Sequence, residues 1–230
     1  MSYGLVCASF SCFEIIGRSY IMNNYILART NMVKGQIAPN KIVDSKLLEV
    51  LGEMPRHLFV PESLKNIAYS DEILAINDNR YIMPPMVFAR MLQIADVKSD
   101  DTALVVACGG GYSSAVLAKI CKKVTSLDSD PEMATKANYM IKKLDIGNAI
   151  ILNEKLSEGH KDGAPYDVIF INGAIDKIPH QLLEQLAEGG RLVTAINEGI
   201  CGRVFLFTKT DGVIAKEEVF DANLPTIADF

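Results

Sequence analysis

Tryptophan is missing from this chain, and histidine is scarce, at three residues in 230. The five cysteines (Cys7, Cys12, Cys108, Cys121, Cys201) form no CxxC pair and share no spacing with the histidines, so no metal site is expected. Their plain reading is free thiols in a reducing cytoplasm. No run of basic residues stands out, and the formal net charge is −5, which removes the long-range field that would draw nucleic acid. No apolar stretch approaches the roughly 18 residues that a membrane span needs, so no membrane partner is expected. The opening MSYGLVCASFSCFEIIGRSYI lacks a basic leader and carries Glu14 in its middle, against a signal peptide. Met22 makes a more usual-looking start, and residues 1–21 read as an extension, poorly ordered or loosely docked. Repeats, low-complexity tracts and Gly/Ser linkers are all missing. With 49% hydrophobic residues, the chain has core enough for one compact domain without staples.

What is present is organised around Ala103 to Asp128, ALVVACGGGYSSAVLAKICKKVTSLD. A short apolar run reaches Gly109, Gly110 and Gly111; Tyr112 to Lys122 then has helical spacing at Val116, Leu117 and Ile120. A second apolar run ends on the carboxylate Asp128, 17 residues past Gly111. Strand, glycine turn, helix and strand make the opening unit of a nucleotide-binding α/β domain. Glycine lets backbone approach a ligand with no Cβ in the way, and an acid closing the second strand can accept both hydroxyls of a ribose. An ordinary glycine-rich βαβ turn remains the alternative.

Before this unit, Asn23 to Gly35 has helical composition, and Asp44 is an N-cap for Ser45 to Gly52. Pro55 to Pro61 (PRHLFVP) reads as a rigid connector, Asn77 to Arg80 as a polar turn, and Pro84–Pro85 as the opening of a helix to Ile94. After it, Pro131 to Leu144 reads as a helix and Ala149 to Leu152 as a strand. Tyr166 to Asn172 is a strand buried on both faces. Pro179 to Leu186 is a helix closed by Gly189 and Gly190, and Arg191 to Ala195 is the fifth strand. Arg203 to Thr208 and Val213 to Phe220 form a hairpin. The fold class is α/β, a mostly parallel sheet with an antiparallel C-terminal hairpin. Residues 22–95 form an N-terminal helical, substrate-side segment, and residues 96–230 the Rossmann-like core.

These pieces resemble protein-L-isoaspartate O-methyltransferases over about 200 residues. NMVKGQI (Asn31 to Ile37), PRHLFVP, AYSDE (Ala68 to Glu72), GYSSAVLA after the glycine turn, APYDVIFINGA (Ala164 to Ala174) and LLEQLAEGGRLV (Leu182 to Val193) carry the likeness. It implies an S-adenosylmethionine-dependent methyltransferase fold, with S-adenosylhomocysteine as product and isoaspartyl peptides or proteins as substrate. Carried over by residue, it implies that Ala107, Cys108, Gly109, Gly110 and Gly111 face the cofactor. Asp128 would hold the ribose hydroxyls, and Glu154 would lie near the adenine amine. Asn79, Arg80, Tyr81, Ile82, Met83 and Asn172 would lie on the substrate side.

The departures are specific. The family's first motif opens on an acid ahead of its first glycine, where this chain has Val105 and Ala107; a methyl at Ala107 is tolerated at negative φ and destabilising at positive φ. The substrate loop runs Asn79, Arg80, Tyr81, Ile82, Met83, Pro84, Pro85 where the family has a glycine-glutamine-threonine-isoleucine-serine-glutamine-proline run. Met83 thus stands at the serine position and donates no hydrogen bond, and no catalytic residue is assigned. Arg80 reads either as a partner for a substrate carboxylate or as a solvated loop residue. Tyr81 reads as packing under the loop, His57 as structural, His160 and His180 as surface residues, and Cys108 as small-residue packing. A carboxylate acceptor is anionic at pH 7, so methyl transfer needs positioning rather than a strong base. Repair-type O-methyl transfer is the first functional reading. The alternatives are a divergent member acting on another acceptor, and a silent member serving as an interaction module.

Overall fold

Short buried runs alternating with capped helices order this chain into a sheet flanked by helices on both faces. The computed structural model describes residues 24–198 and 201–230; the expectations for residues 1–21, and Cys7 and Cys12 with them, lie outside the described residues. Helix α1 (24–32) runs into a π-helical turn, Val33–Ile37. Helix α2 (Ser45–Glu53) starts where the Asp44 side chain accepts from the Leu47 N–H. Strands β1 (Leu74–Ala75) and β2 (Tyr81–Ile82) form a small antiparallel hairpin, and α3 (Pro85–Ile94) follows with proline in its first turn.

The main sheet contains β3 (Thr102–Val106), β4 (Lys123–Asp128), β5 (Ala149–Asn153), β6 (Tyr166–Ile175), β7 (Leu186–Glu198), β8 (Cys201–Thr210) and β9 (Val213–Asp221). Their spatial order is β5-β4-β3-β6-β7-β8-β9, parallel as far as β7 and antiparallel beyond it. This is the expected parallel sheet with a hairpin at its edge. Helix α4 (Tyr112–Ala118) connects β3 to β4, α5 (Pro131–Lys143) connects β4 to β5, and α6 (His180–Glu184) precedes β7. Alternation along the strands divides the core. Ala103, Val105, Val168, Phe170, Val193 and Ala195 face a layer that includes α2, α3, α4 and α5. Leu104, Val106, Ile169, Ile171 and Leu192 face the other side, with Leu182 of α6 and Ile227 of the tail.

Two elements differ from the sequence reading. Helix α4 stops at Ala118 rather than Lys122, because the N–H groups of Ile120 and Cys121 both turn back onto the Leu117 carbonyl. Gly189 and Gly190 do not cap a helix; they lie inside β7, which begins at Leu186 opposite Tyr166. Gly189 has φ +75°, and a Cβ on Gly190 would stand 2.7 Å from the Ala187 carbonyl oxygen. They absorb the register shift between Tyr166 and Val168.

Strand order reverses between β3 and β6, so the carboxyl ends of β3, β4, β5 and β6 open on one crevice, where α/β sheets bind ligands. Among the described residues, no helix is long and apolar enough to cross a membrane.

Candidate functional site

The end of β3 leads into a turn that takes three left-handed conformations: Ala107 at φ +59°, Gly109 at +54° and Gly111 at +91°. Gly111 is doubly constrained, since a Cβ there would also lie 3.0 Å from the Cβ of Ala137 on α5. Ala107 adopts a conformation that disfavours any side chain, and its carbonyl accepts from Asn172 Nδ2 of β6 at 3.1 Å. The turn is lidded: Ile76 and Arg80 of the β1–β2 hairpin lie against Gly109, and the Phe59 carbonyl lies against Gly110.

Asp128 ends β4 beside this turn and is fully buried. Its Oδ2 accepts from the Gly109 N–H at 2.7 Å, and its Oδ1 from the Asp130 N–H at 3.0 Å. The remaining acceptor positions are taken by one residue. Arg80 Nε lies 3.1 Å from both carboxylate oxygens, and Nη2 lies 2.9 Å from Oδ1. Asp229, in the segment after β9, accepts from the other edge of the guanidinium, with Nη1 at 3.0 Å from Oδ1 and Nη2 at 2.9 Å from Oδ2. Ser129 Oγ accepts from Nη2 and donates to Asp229, while the Asn79 carbonyl accepts from Nη1. Arg80 is therefore only 3% exposed and satisfied on every side. Burial alone would lower its pKa; hydrogen bonds to Asp229 and Asp128 outweigh burial and raise it further above its ordinary value. Burial opposes, but the Arg80 and Ser129 contacts hold the Asp229 carboxyl below the usual carboxylate range.

Arg80 is thus neither a solvated loop residue nor free to meet a substrate carboxylate. The reason is the turn beneath it: Asn77 Oδ1 accepts from the N–H groups of Asn79 and Arg80, and Asn77 Nδ2 donates to Asp130, the N-cap of α5. That clamp brings the hairpin tip down onto the end of β4. Tyr81 packs beneath the loop as expected, donating to the Pro225 carbonyl at 2.7 Å. Ile82 and Met83 are buried in the core, leaving Asn79 the exposed member of this run. Glu154 follows β5 and pairs with His160, whose Nδ1 lies 3.0 Å from Oε2; His160 is partly buried, while His180 is exposed. Cys108 is buried, and burial, then the nearby Asp128 charge, pushes its thiol pKa up, against an acidified thiol.

Two participants carry no signal that sequence reasoning used. Asp229 is one acid among many in the sequence. Arg56, inside PRHLFVP, is fully buried: its Nε donates to the Ala68 carbonyl at 2.6 Å and Nη2 to the Met83 carbonyl at 2.7 Å, with its guanidinium 5.0 Å from the Tyr112 ring centre. It ties the loop to the start of α4.

The donor chemistry suits an adenosyl group, with left-handed glycine backbone beside a strand-end carboxylate. In this arrangement the place a ribose would take on Asp128 is held by Arg80. The lone pairs of Asp128 are committed, and the cavities bordering the turn, about 210 Å³ beside Gly110 and about 130 Å³ beside Arg80, fall below the roughly 300 Å³ of a small-ligand pocket. A larger cleft of about 740 Å³ lies between residues 176–183 and 226–230, with no residue of the glycine turn in its lining.

Comparison with known proteins places this geometry in context. The profile of the protein-L-isoaspartate(D-aspartate) O-methyltransferase family matches residues 28–224. A protein-L-isoaspartate O-methyltransferase 1 from Syntrophobacter fumaroxidans is 38% identical over 185 residues, spanning 80% of this chain and 86% of that protein. One from Geobacter metallireducens is 32% identical over 200 residues, spanning 85% and 91%. The beta-aspartate methyltransferase of Plasmodium falciparum, solved in complex with S-adenosyl-L-homocysteine, superposes with a TM-score of 0.76 at 21% identity, over 88% of this chain and 99% of that one; it bears on the fold alone. The chain belongs to the protein-L-isoaspartate(D-aspartate) O-methyltransferase family.

Proposed function

We propose that this protein is an S-adenosylmethionine-dependent O-methyltransferase that methylates the carboxylate of isoaspartyl residues in damaged proteins, and that it works in the cytoplasm. The observation that carries this reading is the family match over residues 28–224, together with Asp128 at the end of β4, beside a left-handed glycine turn at the point where strand order reverses. Asp128 is the acceptor of the ribose hydroxyls, the turn Ala107–Gly111 the backbone against the cofactor, and Glu154 the acid on the adenine side. The hairpin run Asn79–Met83 and Asn172 are assigned to the acceptor side, where Asn79 supplies exposed polar surface and the buried residues set the loop's shape. An isoaspartyl carboxylate is ionised at neutral pH, so position, rather than a general base, is what the protein must provide. The loop therefore functions without the serine that Met83 replaces, its backbone fixed by Arg56.

Incubation with methyl-labelled cofactor and a pair of peptides tests the assignment. Label should pass to the isoaspartyl peptide and not to its normal aspartyl counterpart. Equal labelling of both, or labelling of neither under conditions where the cofactor is bound, contradicts it.

A further inference from the structure

Arg80 and Asp229 do something the family assignment does not require: they fill the place of the ligand. We propose that Arg80, latched by Asp229, is a built-in competitor for the cofactor's ribose, and that it sets how tightly this protein binds its adenosyl ligand. This rests on the assignment of Asp128 to the ribose.

Two observations carry it. First, the competition is for the same atoms. Asp128 keeps its two backbone donors, Gly109 and Asp130, whichever partner it has, and Arg80 holds the remaining lone pairs. A charged guanidinium bonds a carboxylate more strongly than neutral hydroxyls do, so the ligand must offset the exchange with its other contacts. Second, the latch can let go. The last backbone bond holding the tail to the sheet is Ile227 N–H to the Ala174 carbonyl at 2.8 Å. Asp229 lies two residues beyond it, and its side chain is 41% exposed. Arg80 and Asp229 can therefore move outward as a neutral pair, which loosens the tail held at Ile227.

If the open arrangement is the minor state, populated at about 0.1–10%, apparent affinity is lowered by that fraction, and removing the competitor should restore about 10- to 1,000-fold. The test is calorimetric titration of S-adenosylhomocysteine into wild type, Arg80→Gln, Asp229→Ala and Asp128→Asn, each first checked for folding by circular dichroism. Arg80→Gln should bind at least about tenfold tighter than wild type, Asp229→Ala should fall between them, and Asp128→Asn should bind most weakly. Hydrogen exchange in residues 222–230 of the wild type should accelerate when the ligand is added. Equal affinity of wild type, Arg80→Gln and Asp229→Ala, with unchanged exchange in the tail, overturns the competitor while leaving the methyltransferase assignment intact. Should Arg80→Gln misfold, the Asp229→Ala comparison and the exchange measurement decide alone. Absence of binding to every folded variant at millimolar ligand overturns both.

Discussion

At Ala107 the backbone sits at φ +59°, a conformation that costs an L-residue roughly 1–2 kcal/mol and glycine nothing. The sequence pointed to this position as one where a methyl is tolerable only at negative φ, and the angle is positive. Burial and the hydrogen bond from Asn172 hold the residue there against its preference. Replacing Ala107 with Gly removes the strain but adds about 0.4–1 kcal/mol of unfolded-state entropy, so a net stabilisation of about 0.5–1 kcal/mol is expected in urea melts. A loss of stability would show that the methyl's packing outweighs the strain. Arg80 and Met83 show how far residue type alone can be read. Both sit in a short polar-to-apolar loop, and chemistry said only that one can pair with carboxylates and the other cannot donate. That both turn inward follows from the Asn77 turn and from the apolar layer that receives Met83.

Among the elements, α1 is joined to the rest of the N-terminal segment by a ring cluster. Tyr25 of α1 stacks on His57 with ring centres 3.9 Å apart, and His57 Nδ1 and the Tyr69 hydroxyl share a hydrogen bond of 2.7 Å. Burial first, then the charges of Lys65, Arg29 and Lys143, lower the His57 pKa to about 4. Burial pushes the Tyr69 hydroxyl up to about 12, so it stays protonated. The unfolded chain takes up the His57 proton near pH 6.5 and the folded one only near 4, so stability is greatest above 6.5 and declines as pH falls through that window. A slope of about 1 kcal/mol per pH unit from this residue is expected, and His57→Phe should flatten it in denaturation midpoints taken from pH 7 to pH 4. An identical slope in the variant would mean that His57 titrates normally. Helices with a clear cap were legible in the sequence: Asp44 and the Pro84–Pro85 pair mark the starts of α2 and α3. Gly189–Gly190 misled, because glycine serves a strand bulge as well as it serves a helix end, and only the pairing with Tyr166 decides between them.

Across the whole molecule, the mostly parallel sheet with its antiparallel edge hairpin was readable because it follows from the alternation of strands and helices along the chain. The state of the crevice was not. It depends on Arg80 meeting Asp128, 48 positions away, and Asp229, 149 positions away, and no local pattern encodes such a meeting. The family likeness named Asp128 and said nothing of Arg80 resting on it. The most direct measurement is a crystal structure of the unmodified protein with S-adenosylhomocysteine. The ribose hydroxyls should lie on Asp128, with Arg80 swung out of the crevice and Asp229 no longer beside Ser129. A ligand bound at the glycine turn with the Arg80–Asp128 pair still intact would contradict the account.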